Sequence, residues 1–177
     1  MSAANFDRCL AFVLSAEGGY VDDPLDPGGA TNLGITLSVL SEWRHTAVTK
    51  SDVQNLTRDE AGAIYRARYW NSVHGVNLPA GVDLMVFDAG VNLGPGRSAR
   101  MLQAAVGAAE DGAIGPETLR AVGGHHNDPD LISKLADRRE AYYQSLPTFS
   151  HFGTGWTARV NRVKQLALQM AGAPQEA

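Results

Sequence analysis

Apolar residues recur at helical spacing along most of the chain. In the first segment they stand three or four positions apart, from Phe6 to Leu14, which predicts a helix from about Ala3 to Ala16. Residues 81–93 are apolar nearly all round, which is typical of a helix buried in the middle of a protein. The same periodicity, with caps and breakers, predicts further helices over residues 36–44, 57–70, 97–106, 128–146 and 157–170, and a short one from Pro116.

The segment between residues 18 and 36 has a different pattern. Its Gly, Pro and Asp residues are too irregular for a helix, and only residues 30–36 can form a short hairpin. Thr36 is placed to cap the helix that follows, and Thr57 with Glu60 forms a capping-box pattern for a later one. The sequence therefore predicts a mainly α protein with one small β-hairpin after the first helix.

Length, charge and cysteine content narrow the class of protein. A chain of 177 residues suits one compact domain or two lobes sharing a core. No apolar run reaches the roughly 20 residues needed to span a bilayer, and Asp7 and Arg8 interrupt the apolar N-terminus, unlike in a signal peptide. We therefore expect synthesis in the cytoplasm and no membrane insertion. A net charge of −4 disfavours a nucleic-acid partner, and we interpret the single Cys9 as a small buried hydrophobe.

Glu17 has the most informative position in the sequence. Helical steps from Val13 and Leu14 lead to it, so we predict it on the buried face, in the last turn before Gly18 and Gly19 end the helix. Partial burial and the negative end of the helix dipole both disfavour a carboxylate, so its pKa should be raised. A general acid that works near neutral pH requires this. The competing interpretation is an ion pair across the core.

The polar loop that follows is suited to hold a sugar and a water molecule. Glycoside hydrolysis needs an acid and usually a second carboxylate. Asp26 is the leading candidate for that second role, with Asp22 and Asp23 as competitors; the alternative for each is turn formation, since Asp before Pro favours turns. The candidate hydroxyl and amide groups for binding sugar or water are Thr31, Asn32 and Thr36.

Three residues farther along the chain are candidates for sugar contact. Asn92 lies four positions after Asp88 on an otherwise apolar helix, where its amide can bind an N-acetyl group or stabilise the core and the helix end. Tyr69 and Trp70 can stack on sugar rings, although such aromatic residues more often belong to a core. The histidine spacing does not match a zinc site, and we expect neither a metal nor a cofactor.

Several motifs extend over most of residues 5–122. The first is Glu17-Gly-Gly-Tyr-Val-Asp-Asp-Pro, which leads into Asp26-Pro-Gly-Gly-Ala-Thr-Asn-Leu-Gly-Ile-Thr36. Residues 65–70 and 87–95 continue the pattern, and Leu102-Gln103 with residues 111–118 resembles peptidoglycan-binding modules. Together these motifs resemble glycoside hydrolase family 108, a family of N-acetylmuramidases that are often phage endolysins or prophage-derived lysis and secretion factors.

The resemblance implies a catalytic residue but no second one. The Glu of the Glu-Gly-Gly-Tyr motif is the catalytic acid of that family, which implies this role for Glu17. A more distant similarity to phage-type lysozymes concerns an Asp nine residues and a Thr fifteen residues after their catalytic Glu. Those positions correspond here to Asp26 and Asn32. Because Asn replaces Thr, the water-positioning role stays open between Thr31 and Asn32.

These observations predict a lysozyme-like, two-lobed helical fold, with a catalytic lobe over residues 1–85 and a helical, peptidoglycan-binding-like lobe over residues 86–177. The expected activity is peptidoglycan hydrolysis of the muramidase type, with glycan strands as the partner and a monomeric protein. We expect it to act on the cell wall in the periplasm, after export or release through a holin. The rival hypotheses are a lytic transglycosylase and a wall-binding module without catalysis.

Overall fold

The computed structural model describes residues 3–22, 29–125 and 128–172. These residues form helices and one two-stranded antiparallel sheet that follows the first helix, so the predicted mainly α, lysozyme-like helical fold is confirmed. In chain order the elements are α1 (Ala3–Glu17), β1 (Thr31–Asn32), β2 (Ile35–Thr36), α2 (Leu37–Arg44), α3 (Lys50–Gln54), α4 (Arg58–Tyr65), α5 (Val82–Leu93), α6 (Pro95–Val106), α7 (Pro116–Gly123), α8 (Asp128–Gln144) and α9 (Phe149–Gly172). A π-helical turn, Arg66–Trp70, extends α4, and Gly75–Asn77 forms a 3-10 turn.

Side-chain caps fix where several of these helices begin. The Thr36 hydroxyl accepts a hydrogen bond from the Val39 N–H at 3.2 Å, so the predicted cap of α2 is confirmed. The Thr57 hydroxyl caps α4 in the same way, through the Glu60 N–H. The Glu60 carboxylate is bound by a guanidinium instead of the cap backbone, so only half of the predicted box forms.

One helix and one helix boundary differ from the sequence-based prediction. The short helix α3 was not predicted, although Thr49 and Asp52 form a complete capping box at its start. Helix α9 begins at Phe149 instead of near residue 157, and within it the buried Gly153 packs against the Phe149 ring. A Cβ atom at Gly153 would lie 2.7 Å from Cε2 of that ring.

By contacts between residues, the chain divides into two compact units, Leu10–Arg68 and Met1–Cys9 together with Tyr69–Ala177. In the first unit, Arg44 ties three helices together. Its guanidinium donates to both Glu60 carboxylate oxygens, at 2.9 and 2.8 Å, and to Asp52 at 3.3 Å. The buried apolar residues of this unit are Val13, Leu14, Ala30, Ile35, Leu40, Val53, Leu56, Ala61, Ile64 and Tyr65.

Helix α5 lies at the centre of the second unit, in contact with α6, α8 and α9. Residues 82–90 are all buried, which confirms the helix predicted to be apolar on every side. A buried charge needs a partner of opposite sign, and Asp88, with no exposed surface, has two. Arg139 donates to its carboxylate at 2.6 Å and Arg159 at 2.8 Å.

Candidate active site

Glu17 is the last residue of α1, as predicted, and its side chain is half-buried. Gly18 follows with φ +81°, a left-handed conformation that glycine adopts without a steric penalty. This conformation ends the helix directly after the carboxyl-bearing residue. The half-buried side chain is therefore carried by the last turn of a helix.

The chain returns toward this helix end as a short hairpin. Val21 and Thr31 exchange two backbone hydrogen bonds of 2.8 Å, and Thr31 then pairs with Thr36 across β1 and β2. Paired residues of antiparallel strands point to the same face. One face of the hairpin therefore carries the half-buried Thr31 and Thr36, whereas the other carries the buried Asn32 and Ile35.

The turn of this hairpin lies against Glu17. Leu33 and Gly34 have φ values of +51° and +74°, the pattern of a type I′ two-residue loop. A Cβ atom added at Gly34 would lie 3.0 Å from Glu17 Cγ and under 3.0 Å from Tyr65 Oη, so both side chains approach the same point. The Tyr65 hydroxyl also donates to the Leu33 carbonyl at 3.0 Å. Glutamate, turn and tyrosine thus form one compact group.

Asn32 binds α3 instead of facing the open side of the hairpin. Its side-chain NH2 donates to the backbone carbonyls of Val53 and Gln54, both at 3.0 Å, and the residue is only 8% exposed. Both carbonyls belong to the last turn of α3, and that of Val53 also accepts from the Leu56 N–H at 3.2 Å. The amide therefore satisfies a helix end and fixes the hairpin to α3.

Of the three candidate second carboxylates, Asp22 alone lies among the described residues. Its carboxylate pairs with the Lys50 ammonium, at 2.9 and 3.0 Å, and this hydrogen bond raises the pKa of Lys50. The pair links the loop after α1 to the start of α3. Asp23 and the preferred candidate Asp26 lie outside the described residues.

Comparison with known proteins assigns the chain to a family. A model of glycosyl hydrolase 108 matches residues 10–94, and a model of a predicted peptidoglycan domain matches residues 97–161. The solved structure of Brucella abortus SagA is 46% identical, with a TM-score of 0.87, over 99% of this chain and 100% of that one. The chain belongs to glycosyl hydrolase family 108. No curated protein matches it.

Membership of family 108, together with the adjoining peptidoglycan domain, makes this protein a glycoside hydrolase that acts on peptidoglycan. The predicted family resemblance and the predicted wall substrate are thereby confirmed. Among residues 3–22, 29–125 and 128–172, no helix combines the length and apolar character needed to cross a membrane. Across the described part of the family 108 chain, no three His, Cys, Asp or Glu side chains come together as metal ligands do.

The motif that resembles peptidoglycan-binding modules, Leu102-Gln103 with residues 111–118, is held together by side-chain hydrogen bonds. The Gln103 side chain is 1% exposed; its amide donates to Asp111 Oδ1 at 2.6 Å and its carbonyl accepts from the Gly112 N–H at 3.0 Å. Hydrogen bonds from the Ala113 N–H and Gln103 hold the pKa of Asp111 below its usual range. Hydrogen bonds from Gln103 on α6 therefore join the Leu-Gln element to the Asp-Gly turn.

The two aromatic residues that end the π-helical turn after α4 differ in burial. Trp70 is 3% exposed, and its ring packs edge-on against Phe6 and Phe87 with centroids 5.3 and 5.4 Å apart. A ring enclosed in this way cannot stack on a sugar, so the core interpretation replaces the predicted sugar contact for Trp70. Tyr69 is half-buried, so its sugar contact stays a prediction.

Asn92 is exposed, and its amide donates to the Asp88 backbone carbonyl at 2.9 Å. The side chain therefore bonds to the last turns of its own helix, as the alternative interpretation expected, and its position at the surface also leaves it accessible to a ligand. The Asp88 carboxylate is not part of this contact, since it binds arginines from α8 and α9. The predicted Asp88 and Asn92 pair thus has two separate roles.

Proposed function

We propose that this family 108 glycosidase is an N-acetylmuramidase in which Glu17 is the general acid. Glu17 protonates the oxygen that links N-acetylmuramic acid to N-acetylglucosamine, while positive charge develops at the sugar carbon. The observation that carries this proposal is the placement of Glu17 at the end of α1, half-buried against the hairpin turn at Gly34. The helix end and the turn hold this side chain in a defined position, which a general acid requires.

The hairpin supplies groups for the attacking water. The Asn32 amide hydrogens are already donated to α3, which favours Thr31 over Asn32 as the residue that orients water. Thr36, paired with Thr31, has its oxygen engaged in the cap of α2 but retains a hydroxyl proton for a sugar oxygen. Asp26 remains our proposal for the base. An inverting reaction places such a base roughly 6.5–9.5 Å from the acid.

The remaining sequence-based assignments complete the proposal. Tyr69 and Asn92 contact the glycan, residues 1–85 act as the catalytic lobe, and residues 86–177 hold the wall polymer. The protein is a monomer and serves as a phage- or prophage-type endolysin or secretion factor that reaches the periplasm by export or through a holin. The family resemblance supports this setting.

Charge-neutral substitution of the acid tests the proposal. Glu17→Gln keeps the shape of the side chain but cannot donate a proton, so clearance of purified peptidoglycan should fall by roughly 10²- to 10⁴-fold. Glu42→Gln is the matched control, because Glu42 is an exposed glutamate paired with Arg68 at the surface. It should clear walls within twofold of the wild type. Equal clearance by Glu17→Gln and wild type would overturn the assignment, whereas binding without clearance by wild type would indicate a wall-binding module.

A further inference from the structure

We propose that Tyr65 is a positioning residue for Glu17, acting through the turn formed by Leu33 and Gly34. The inference deepens the proposed function and rests on Glu17 being the acid. Tyr65 is 1% exposed and ends α4, directly before the π-helical turn Arg66–Trp70. Its ring belongs to the core of the 10–68 unit, but its hydroxyl reaches the hairpin turn.

The turn requires an external hold because of Leu33. A leucine at φ +51° is in a conformation that side-chain-bearing residues rarely adopt, and such residues persist where the surrounding structure fixes them. Asn, Asp and Gly are the usual residues at this position of a type I′ turn. The hydrogen bond from Tyr65 Oη to the Leu33 carbonyl, 3.0 Å long, fixes the peptide in this conformation.

The same hydroxyl defines the space beside Glu17. The site of a Cβ at Gly34 is within 3.0 Å of Tyr65 Oη and 3.0 Å of Glu17 Cγ, with Glu17 Cβ at 3.1 Å. Because Gly34 carries no side chain, the turn can lie this close to both side chains, and a shift of the turn toward α1 would bring it against Glu17. Loss of the tyrosine hydroxyl therefore loosens the turn. Because the turn lies against Glu17, the direction of the Glu17 carboxyl is then less well fixed.

The test compares two buried tyrosines that each lose one hydroxyl. Tyr65→Phe removes the bond to Leu33, and Tyr143→Phe removes the bond that Arg139 Nε donates to Tyr143 Oη at 3.1 Å. Tyr143 is 4% exposed, so its side chain does not reach the glycan. Both variants lose a hydrogen bond in the core, and a merely structural role of Tyr65 would affect the two alike.

Activity is measured as kcat and KM on solubilised peptidoglycan, with thermal unfolding in parallel. Tyr65→Phe should lower kcat by 10- to 100-fold with KM within twofold. Tyr143→Phe should keep the wild-type kcat and KM. A Tyr65→Phe enzyme with wild-type kcat would overturn the inference.

A second pair of variants keeps the inference testable if Tyr65→Phe does not fold. Gly34 and Gly107 have nearly the same φ, +74° and +73°, but a Cβ at Gly107 meets nothing within 4 Å. Gly34→Ala should therefore reduce kcat at least tenfold below Gly107→Ala, and equal rates would contradict the proposal. Glu17→Gln in the same assay distinguishes failure of the proposed acid from failure of the positioning role. Full activity of Glu17→Gln refutes the acid, whereas an inactive Glu17→Gln with a normal Tyr65→Phe and Gly34→Ala refutes only the positioning role.

Discussion

Removal of the Asp88 carboxylate is the change to which the fold should be most sensitive. Asp88 has no exposed surface and receives hydrogen bonds from Arg139, which is 1% exposed, and from Arg159. In Asp88→Ala, two guanidinium groups lose their shared counter-charge in the core. The Arg139 Nη2 atom already has no hydrogen-bond partner among the described residues, so this side chain has little scope to compensate.

The burial of the Asp88 ion pair determines how much stability the substitution should remove. Breaking a buried ion pair by removing one partner costs about 3–5 kcal/mol, out of a total stability of roughly 5–15 kcal/mol for a typical domain. For a chain of this length, about 2–4 °C is lost per kcal/mol, so the melting temperature should fall by roughly 6–20 °C. The exposed pair of Glu42 and Arg68 is the control, since such pairs contribute about 0–1 kcal/mol.

Urea and thermal unfolding of wild type, Asp88→Ala and Glu42→Ala measure both values. A second variant, with Asp88→Leu, Arg139→Met and Arg159→Met combined, replaces the charges by apolar groups and should recover much of the stability lost by Asp88→Ala. The reasoning is refuted if Asp88→Ala loses less than about 1 kcal/mol, or if it and Glu42→Ala lose the same amount. Either outcome would show that the arginines do not depend on this carboxylate.

Three further predictions concern buried groups. Burial raises the pKa of the Cys9 thiol, so a thiol reagent should label the protein only after denaturation; labelling at native conditions would contradict the buried position. Burial also raises the pKa of Asp83 from 3.8 to about 6. The native state then binds this proton more tightly than the unfolded state, so the stability that Asp83 contributes near pH 4 is lost as the pH rises through 6. In urea unfolding, the free energy of unfolding of wild type should fall by up to roughly 3 kcal/mol relative to that of Asp83→Asn between pH 4 and pH 7. If the two proteins show the same change in unfolding free energy with pH, this effect is excluded. Trp70→Ala should cost about 3–5 kcal/mol of stability, because the Trp70 ring packs against Phe6 and Phe87. The KM of the folded variant should stay within twofold of the wild-type value. A large rise in KM without a loss of stability would show that Trp70 contacts the sugar.

Features set by neighbouring residues could be predicted from the sequence. The end of α1 at Glu17 follows from the apolar spacing and the two glycines after it, and the cap of α2 follows from the hydroxyl of Thr36. The hairpin follows from a Gly-containing pair of residues between two short extended segments.

Features set by distant contacts could not be predicted. Helix α3 is five residues long, too short for a periodic pattern, and only its capping box signals it. The start of α9 at Phe149 could not be predicted, because the packing of Gly153 against the Phe149 ring exists only in the folded helix. The approach of Tyr65 to the hairpin turn joins residues 32 positions apart. Its place in the motif of residues 65–70 is the one signal that could have indicated it.

The sugar at the newly formed chain ends distinguishes a muramidase with Glu17 as its acid from the other activities. Purified peptidoglycan is digested with wild type, Glu17→Gln and Glu42→Gln, reduced with borohydride, and its muropeptides are analysed by mass spectrometry. Wild type and Glu42→Gln should give reduced N-acetylmuramic acid at every new end, and Glu17→Gln should give roughly 10²-fold fewer new ends or less. New ends of the anhydro type, or of N-acetylglucosamine, or undiminished cleavage by Glu17→Gln, would contradict this assignment.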